Sequence, residues 1–577
     1  MRRLAAALLV AGVAWSAEAA RVRAVRTGGT PAPVPQAIPV YPEPAGCAVP
    51  PVFPGATCSE GSAAFAALRD NEVDAVVRAA AKALDVPMTI AVVDRAGRVL
   101  ALAHKAGAGS ATDDDLAVGV ARTAAFFSHD MAPLSSRTVR FLSGVHFPPG
   151  ITNTPSAALY GIENTNRGCD MNLDFVAGQC LPTARSVNGL PCDSTNASGC
   201  GPGIVTGKVF PNDADPSSVN AGGIPLYRVD ANGGVVSNGK LVGAIGISGV
   251  GGDSQRAEFA SVSGAFGSLV TGIAPVPFYP LPDPGNVFID GVRLPFLGPD
   301  LRLTFANDGL PNGVRRLDGT SAGTDATLVY AIAPGFGGCA PNGYLVAPRA
   351  SSVSALSAVD VDTIVQRAIA TAKKTRAVIR LPLNSYARMV IAVADTDGTI
   401  LALYRMPDAT VFSVDVAVAK SRNVVYFSQH GIGSSVPAGT AVSNRTIAFG
   451  GQPTFPSGID SHVFDPREGP WYQSLFVHDL ANPCSQGTQP ANPNQNGIVF
   501  FAGSTPLYRG STLVGGLGVS GDGIEQDDYV SYYGAGELLP PQSIWADQIV
   551  VDGVRLPMFK FPRHPEGVTE CGGQPCS

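Results

Sequence analysis

The sequence predicts an α+β protein built of two tandem domains, each an antiparallel sheet with packed helices and a long inserted loop. Stretches of helical apolar period alternate with stretches of strand period, the pattern of helices laid on a sheet. A set of segments recurs in the same order in the two halves of the chain. The recurring unit is far longer than a solenoid repeat, so each copy is a whole domain. The length of 577 residues also exceeds what one core organises.

The first elements set compartment and composition. Arg2 and Arg3 precede an apolar run over residues 4–15, and Ala17-Glu18-Ala19 follows. This reads as a signal peptide over 1–19, which places the protein in the periplasm or outside the cell. Charged residues make up 15% and apolar residues 45%, with a net charge of −6. No basic patch with interleaved aromatics stands out, so nucleic acid is not an expected partner. No later apolar run is long enough for a membrane span. Ten cysteines agree with an oxidising compartment. Cys47 with Cys58, Cys169 with Cys180, Cys192 with Cys200, and Cys571 with Cys576 lie close in sequence, leaving Cys339 and Cys484 to join the halves. All ten are disulfide candidates, and spacing does not fix the connectivity. The absence of Cys-x-x-Cys argues against zinc-ribbon, thioredoxin and c-type haem chemistry.

Residues 20–60 read as a Pro-rich lead-in and 61–300 as the first domain. Val73, Val76, Val77, Ala80, Ala81 and Leu84 share one helical face. Residues 88–93 and 98–104 make a hairpin about the turn at 94–97. A helix over 113–128 begins with three aspartates, which suit the positive end of its dipole. A Pro- and Gly-rich region over 131–222 is too long for a plain connection. Residues 222–228 restart a strand, 239–248 form a Gly-studded one, and a helix runs over 253–268. Residues 301–350 read as a linker. The second domain, 351–565, repeats the order: the helix face of Val361, Ile364, Val365, Ala368 and Ile369, the hairpin 389–404, the helix 414–427, Pro506 to Arg509, and the Gly-studded strand 510–522. A Cys-containing tail, 566–577, follows. Glycine weakens a strand unless something approaches its backbone. Gly243, Gly246 and Gly249, answered by Gly515, Gly518 and Gly521, therefore mark close approach by a packed helix or by a ligand.

Three motifs resemble the GlcG/HbpS-like family: the hairpin 90–102 with its counterpart 391–403, the helix segment 121–125 answered by 421–423, and 222–226 leading into 242–249. The resemblance covers about half of each unit. It implies tandem profilin-like domains of a family that binds or degrades haem and often self-associates. The expected function is an exported haem- or tetrapyrrole-binding protein, a scavenger or a redox or haem sensor, and not an enzyme. The alternatives are an exported protein-interaction scaffold, with a partner protein or self-association, and a haem-degrading or redox enzyme.

A haem requires an axial donor and groups for its propionates. His104 and His129 are the metal-ligand candidates, with Tyr404 and His430 at the related places of the second copy. The loops at Ser248, Gly249, Ser520 and Gly521 offer N–H groups to an anion. Arg137 and Arg445 recur in both copies, as do Arg228 with Arg509 and Arg293 with Arg555. They hold an anionic ligand or pair with acids of the fold. No nucleophile motif and no HExxH spacing occurs, so no catalytic residue is assigned.

Overall fold

The computed structural model describes residues 56–57, 68–97, 99–149, 151, 154–166, 221–229, 239–277, 287–289, 291–305, 311–316, 321–332, 340–456, 467–482, 484–492 and 494–569. In the N-terminal copy, α1 (Asp70–Ala83) leads into β1 (Thr89–Asp94) and β2 (Val99–His104). Then come α2 (Ala111–Phe127), α3 (Ser136–Phe141), β3 (Gly223–Arg228), β4 (Lys240–Ser248), α4 (Ser254–Gly267), β5 (Ile273–Ala274) and β6 (Val329–Ile332). The C-terminal copy runs β7 (Asn342–Val346), α5 (Ala358–Ala372), β8 (Val390–Ala394), β9 (Ile400–Arg405), α6 (Ser413–His430), α7 (Asn444–Gly450), β10 (Ser504–Arg509), β11 (Thr512–Ser520) and α8 (Ile524–Ala535). The repeated elements read from the sequence are all present, within a few residues of their expected bounds.

Both sheets are antiparallel. The first has the order β6-β2-β1-β4-β3-β5. The second has the order Ala56–Thr57, β7, β9, β8, β11, β10. The stretch read as a linker thus supplies a strand to each sheet, the edge strand β6 to the first and β7, between Ala56–Thr57 and β9, to the second. The lead-in crosses to the second sheet, where Ala56 pairs with Gly343.

Each sheet is covered on both faces, which explains why its central strands are apolar on both sides. On one face of the first sheet, Val73, Val76, Val77 and Ala80 of α1 pack with Ala257, Ala260 and Phe266 of α4 over Ile90, Val92 and Ile245. Helix α2 covers the other face, and α6 does the same in the second sheet. The Gly-rich strands allow this. A Cβ at Gly246 would collide with the carbonyl oxygen of Ala117 on α2, and one at Gly518 with that of Ala417 on α6. What approaches these strands is a helix backbone, the first of the two alternatives.

The copies meet through the faces that carry α2 and α6. The rings of Phe127 and Phe412 stack with centroids 3.9 Å apart and planes within 7°, and the Val411 N–H donates to the Phe126 carbonyl at 2.9 Å. Ala124, Phe127, Val416 and Phe501 share one buried cluster. The connection after α3 also crosses over: Asn164 donates to Asp479 (3.0 Å) and the Asn166 N–H to Asp415 (2.6 Å).

Cys484 is disulfide-bonded. Its partner, like the other eight cysteines, lies outside the described residues, so the proposed pairings do too, as does the cysteine-bearing stretch 167–220. Gly518→Val should destabilise the chain by roughly 3 kcal/mol or more, because a backbone carbonyl cannot yield as a side chain would. Urea midpoints of variant and parent, at unchanged slope, measure this.

Candidate functional site

The residues singled out in the sequence do not form one site. His104 ends β2, where its Nε2 lies 2.7 Å from the Asp114 carboxylate. Tyr404, expected at the related place, answers instead to Ala103, because Arg405 takes the place of His104 in the ladder of β9; it is half-buried with its ring edge-on to Tyr344 at 4.9 Å, and burial raises its phenol pKa. His430 is exposed at the end of α6, its ring 4.5 Å from Tyr426. His129 is fully buried. Its Nδ1 accepts the Met131 N–H at 3.3 Å, which puts the ring proton on Nε2, a buried atom with no hydrogen-bond partner. Burial, reinforced by Arg380, Arg388 and Arg95 against the pull of Asp408, lowers its pKa well below the ordinary value, so the ring is neutral. In that tautomer no lone pair is left for iron. Among the described residues no group of three or more His, Cys, Asp or Glu is arranged to hold a metal ion.

The expected anion sites are also filled by the fold. Ser248 donates to the Asp113 carbonyl at 2.6 Å, and a side chain at Gly249 would face the Asp113 carboxylate. Asp253 caps α4, accepting from the N–H groups of Gln255 and Arg256 at 3.0 and 3.1 Å. That acidic surrounding disfavours an anion. The recurring arginines pair with acids. Arg137 holds Glu258 through two bonds of 2.6 and 2.9 Å, and Arg445 holds Asp528 in the same way of packing. Arg228 pairs with Glu72, and Arg509 with Asp360 at 2.8 Å.

Three arrangements were not legible as sites. The first is a buried knot of charge between the copies. Asp408, in the left-handed region at φ 59°, accepts from Arg95 at 2.9 Å, the Asp130 N–H at 3.0 Å, Arg380 at 2.7 Å and Arg388 at 3.3 Å. Arg380 also donates to Asp522 at 2.5 Å. Burial opposes ionisation of Asp408, but the guanidinium groups of Arg380, Arg95 and Arg388 outweigh it and hold its carboxyl well below the usual range.

The second is a cavity of about 40 Å³ between the copies. Phe127, Leu134 and Leu159 wall it from one copy, Phe412, Ser520, Gly521 and Asp527 from the other. The Ser520 hydroxyl donates to Ser413 at 3.1 Å. Asp527 takes Lys420 at 2.9 Å, while its Oδ1 is buried without a partner. Burial pushes Asp527 up, against Lys420, from the ordinary 3.8 to about 7. The related positions of the first copy are Val120 and Ala257, so this pair belongs to one copy alone.

The third is an open groove of about 580 Å³ beside α8, lined by Phe449, Tyr532, Trp545, Arg555, Phe559 and Phe561, among others. Phe559 meets the rings of Tyr532 and Trp545 edge-on at 5.3 and 5.4 Å. The Trp545 N–H donates to Pro540 at 2.9 Å, so the indole offers only its apolar surface. Arg555 is braced by Asp547 at 2.9 Å with its side chain 66% exposed. The recess is apolar-walled with one cation at its rim, the usual make-up of a ligand site. The run of Tyr529, Tyr532 and Tyr533, where the first copy has Phe259, Val262 and Ser263, was its signal in the sequence.

Comparison with known proteins follows the duplication. The family model described as "Haem degrading protein HbpS-like" matches residues 71–172 and again 356–535. The chain carries two tandem HbpS-like copies. The N-terminal HbpS-like match ends before β3, where the inserted stretch separates the two parts of its sheet. Among curated proteins, the corrinoid adenosyltransferase PduO of Citrobacter freundii is 26% identical over 155 residues. That of Salmonella typhimurium is 25% identical over the same length. Each alignment takes in 26% of this chain and 33% of the relative, so the chain spans about a third of the length of these curated relatives. Among solved structures, the PduOC–haem complex is 21% identical with a TM-score of 0.21, covering 32% of this chain and 94% of that one. The Klebsiella pneumoniae protein ORFY is 18% identical with a TM-score of 0.19, covering 30% and 87%.

Two measurements check the electrostatics of the paired HbpS-like copies. Asp408→Ala strands buried guanidinium groups and should cost roughly 3–5 kcal/mol in denaturant unfolding. For Asp527 the folded pKa lies above the unfolded one. Between 3.8 and about 7 the folded chain therefore holds the extra proton, and this group's contribution to stability falls as pH rises through that window. In Asp527→Asn, urea midpoints taken from pH 4 to 7 should lack that decline.

Proposed function

We propose that this protein is an exported haem- or tetrapyrrole-binding protein made of two profilin-like domains. The observation that carries the proposal is the double match to a family described by its action on haem. The relative solved as a haem complex agrees with the ligand class but adds no argument of its own. The N-terminal export pattern and the disulfide at Cys484 support a place outside the cytoplasm.

The chain's residues fit such a group in one respect and not in another. His104 and His129 do not suit it, since one is committed to Asp114 and the other is walled into the charge knot. The groove beside α8 does suit it: its volume lies in the range of cofactor sites, its walls offer aromatic surface to a flat ring, and Arg555 stands ready for a carboxylate. Bound haem would supply redox and ligand-sensing chemistry; the protein's part is to hold the ring and shield it from water.

Titrating the purified chain with hemin should produce a saturable Soret shift absent from a protein-free control. Absence of that shift in the intact chain rejects the haem reading.

A further inference from the structure

We infer that a tetrapyrrole held by this protein seats in the aromatic groove of the C-terminal copy, one per chain, because the N-terminal copy has closed its own equivalent with a hairpin. The inference rests on the haem reading above and adds location and stoichiometry.

The duplication itself supplies the comparison. In the N-terminal copy, the hydroxyls of Ser135 and Thr138 donate to the carbonyls of Phe296 (2.6 Å) and Pro295 (2.7 Å). In the C-terminal copy, Ser443 and Thr446 donate in the same way to Met558 (2.5 Å) and Pro557 (2.7 Å). Glu258 accepts the Gly298 N–H at 2.9 Å, and Asp528 the Lys560 N–H at 3.0 Å. These bonds fix the correspondence of 296 with 558 and of 298 with 560. The groove residues Phe559 and Phe561 therefore answer to Leu297 and Pro299, and Tyr532 on α8 answers to Val262 on α4.

Past these positions the copies part. After Pro299 the chain turns back as the ladder of Leu301–Phe305 with Pro311–Arg316. Leu303 and Val314 of that ladder pack on the core of the N-terminal copy, and Arg316 reaches Asp253 at the start of α4 at 3.2 Å. After Phe561 the chain leaves instead toward Arg376, whose N–H donates to Pro565 at 2.8 Å and whose Nε donates to His564 at 2.9 Å. One copy covers its helix with its own hairpin. The other leaves Tyr533 48% and Phe561 38% exposed, and replaces aliphatic residues with aromatic ones where the cover is missing.

The chemistry of the open recess suits a flat, anionic macrocycle. Edge-to-face walls accept a π-surface, and Arg555 keeps Nη1 clear of the two bonds that Nε and Nη2 make to Asp547. Of the lining residues, Tyr532 and Met558 are of types that haem iron takes. Met558 is only 3% exposed, so the structure assigns Tyr532 as the donor.

The full chain should be titrated with hemin beside Tyr532→Phe and Arg555→Glu, which alter partly exposed side chains. We expect one hemin per chain, a changed Soret position in Tyr532→Phe, affinity reduced roughly tenfold in Arg555→Glu, and hydrogen-exchange protection on hemin binding over 529–533 and 555–561. If the parent binds hemin but both variants match it, or two hemins bind, or protection gathers around His104 or His430, the groove assignment fails while the haem reading stands. If the parent gives no Soret shift, the haem reading itself fails. If the variants turn a dimer into a monomer in sedimentation and leave hemin binding unchanged, the groove is occupied by a second copy and the assignment is overturned.

Discussion

The carboxylate of Asp408 joins two domains by collecting donors from both. Arg95 and the Asp130 N–H reach it from the N-terminal copy, Arg380 and Arg388 from its own. Asp408, Arg95 and Arg380 are excluded from water, so none of the three is stable without its partners. The stacked rings of Phe127 and Phe412, the small cavity beside Asp527 and the seat of His129 all depend on the copies being held in this one registration. A hydrophobic contact alone would allow sliding; a carboxylate with fixed donors does not.

The fold was largely legible. Both hairpins and the helices α1, α2, α5 and α6 follow from apolar periodicity, and the Gly-rich strands announce the close helix backbones that Ala117 and Ala417 supply. The site was less so, for a physical reason. His104 and His129 were singled out by residue type, but what a histidine does depends on which atoms reach its two nitrogens. Here Asp114 takes one ring, and Met131 with the arginines neutralises the other. Arg137 and Arg445 recur because they brace Glu258 and Asp528, a need of the fold repeated with the fold. The informative positions were those at which the copies differ: Val120 against Lys420, Ala257 against Asp527, and Val262 against Tyr532. Asp408 was hidden because its partners lie far away in the chain and its counterpart in the first copy is Gly107, which shares the left-handed backbone but carries no charge.

A duplicated domain can keep two sites or let one lapse. The first copy fills its core positions with aliphatic residues and shields α4 with a hairpin, as a domain devoted to packing would. The second concentrates aromatic surface, the Lys420–Asp527 ion pair and the open groove. The pair thus behaves as one scaffold half and one recognition half, locked together by the Asp408 knot.

The crossing of Ala56–Thr57 to the second sheet has a topological result. Read along the chain, strand material of the second sheet comes first, then the whole of the first sheet, then the rest of the second. One domain is therefore nested within the other. Division of the chain midway would leave a naked strand border on the second sheet and deprive both halves of their shared ionic lock, and such borders seek other chains to pair with. The duplication can no longer be undone by cutting.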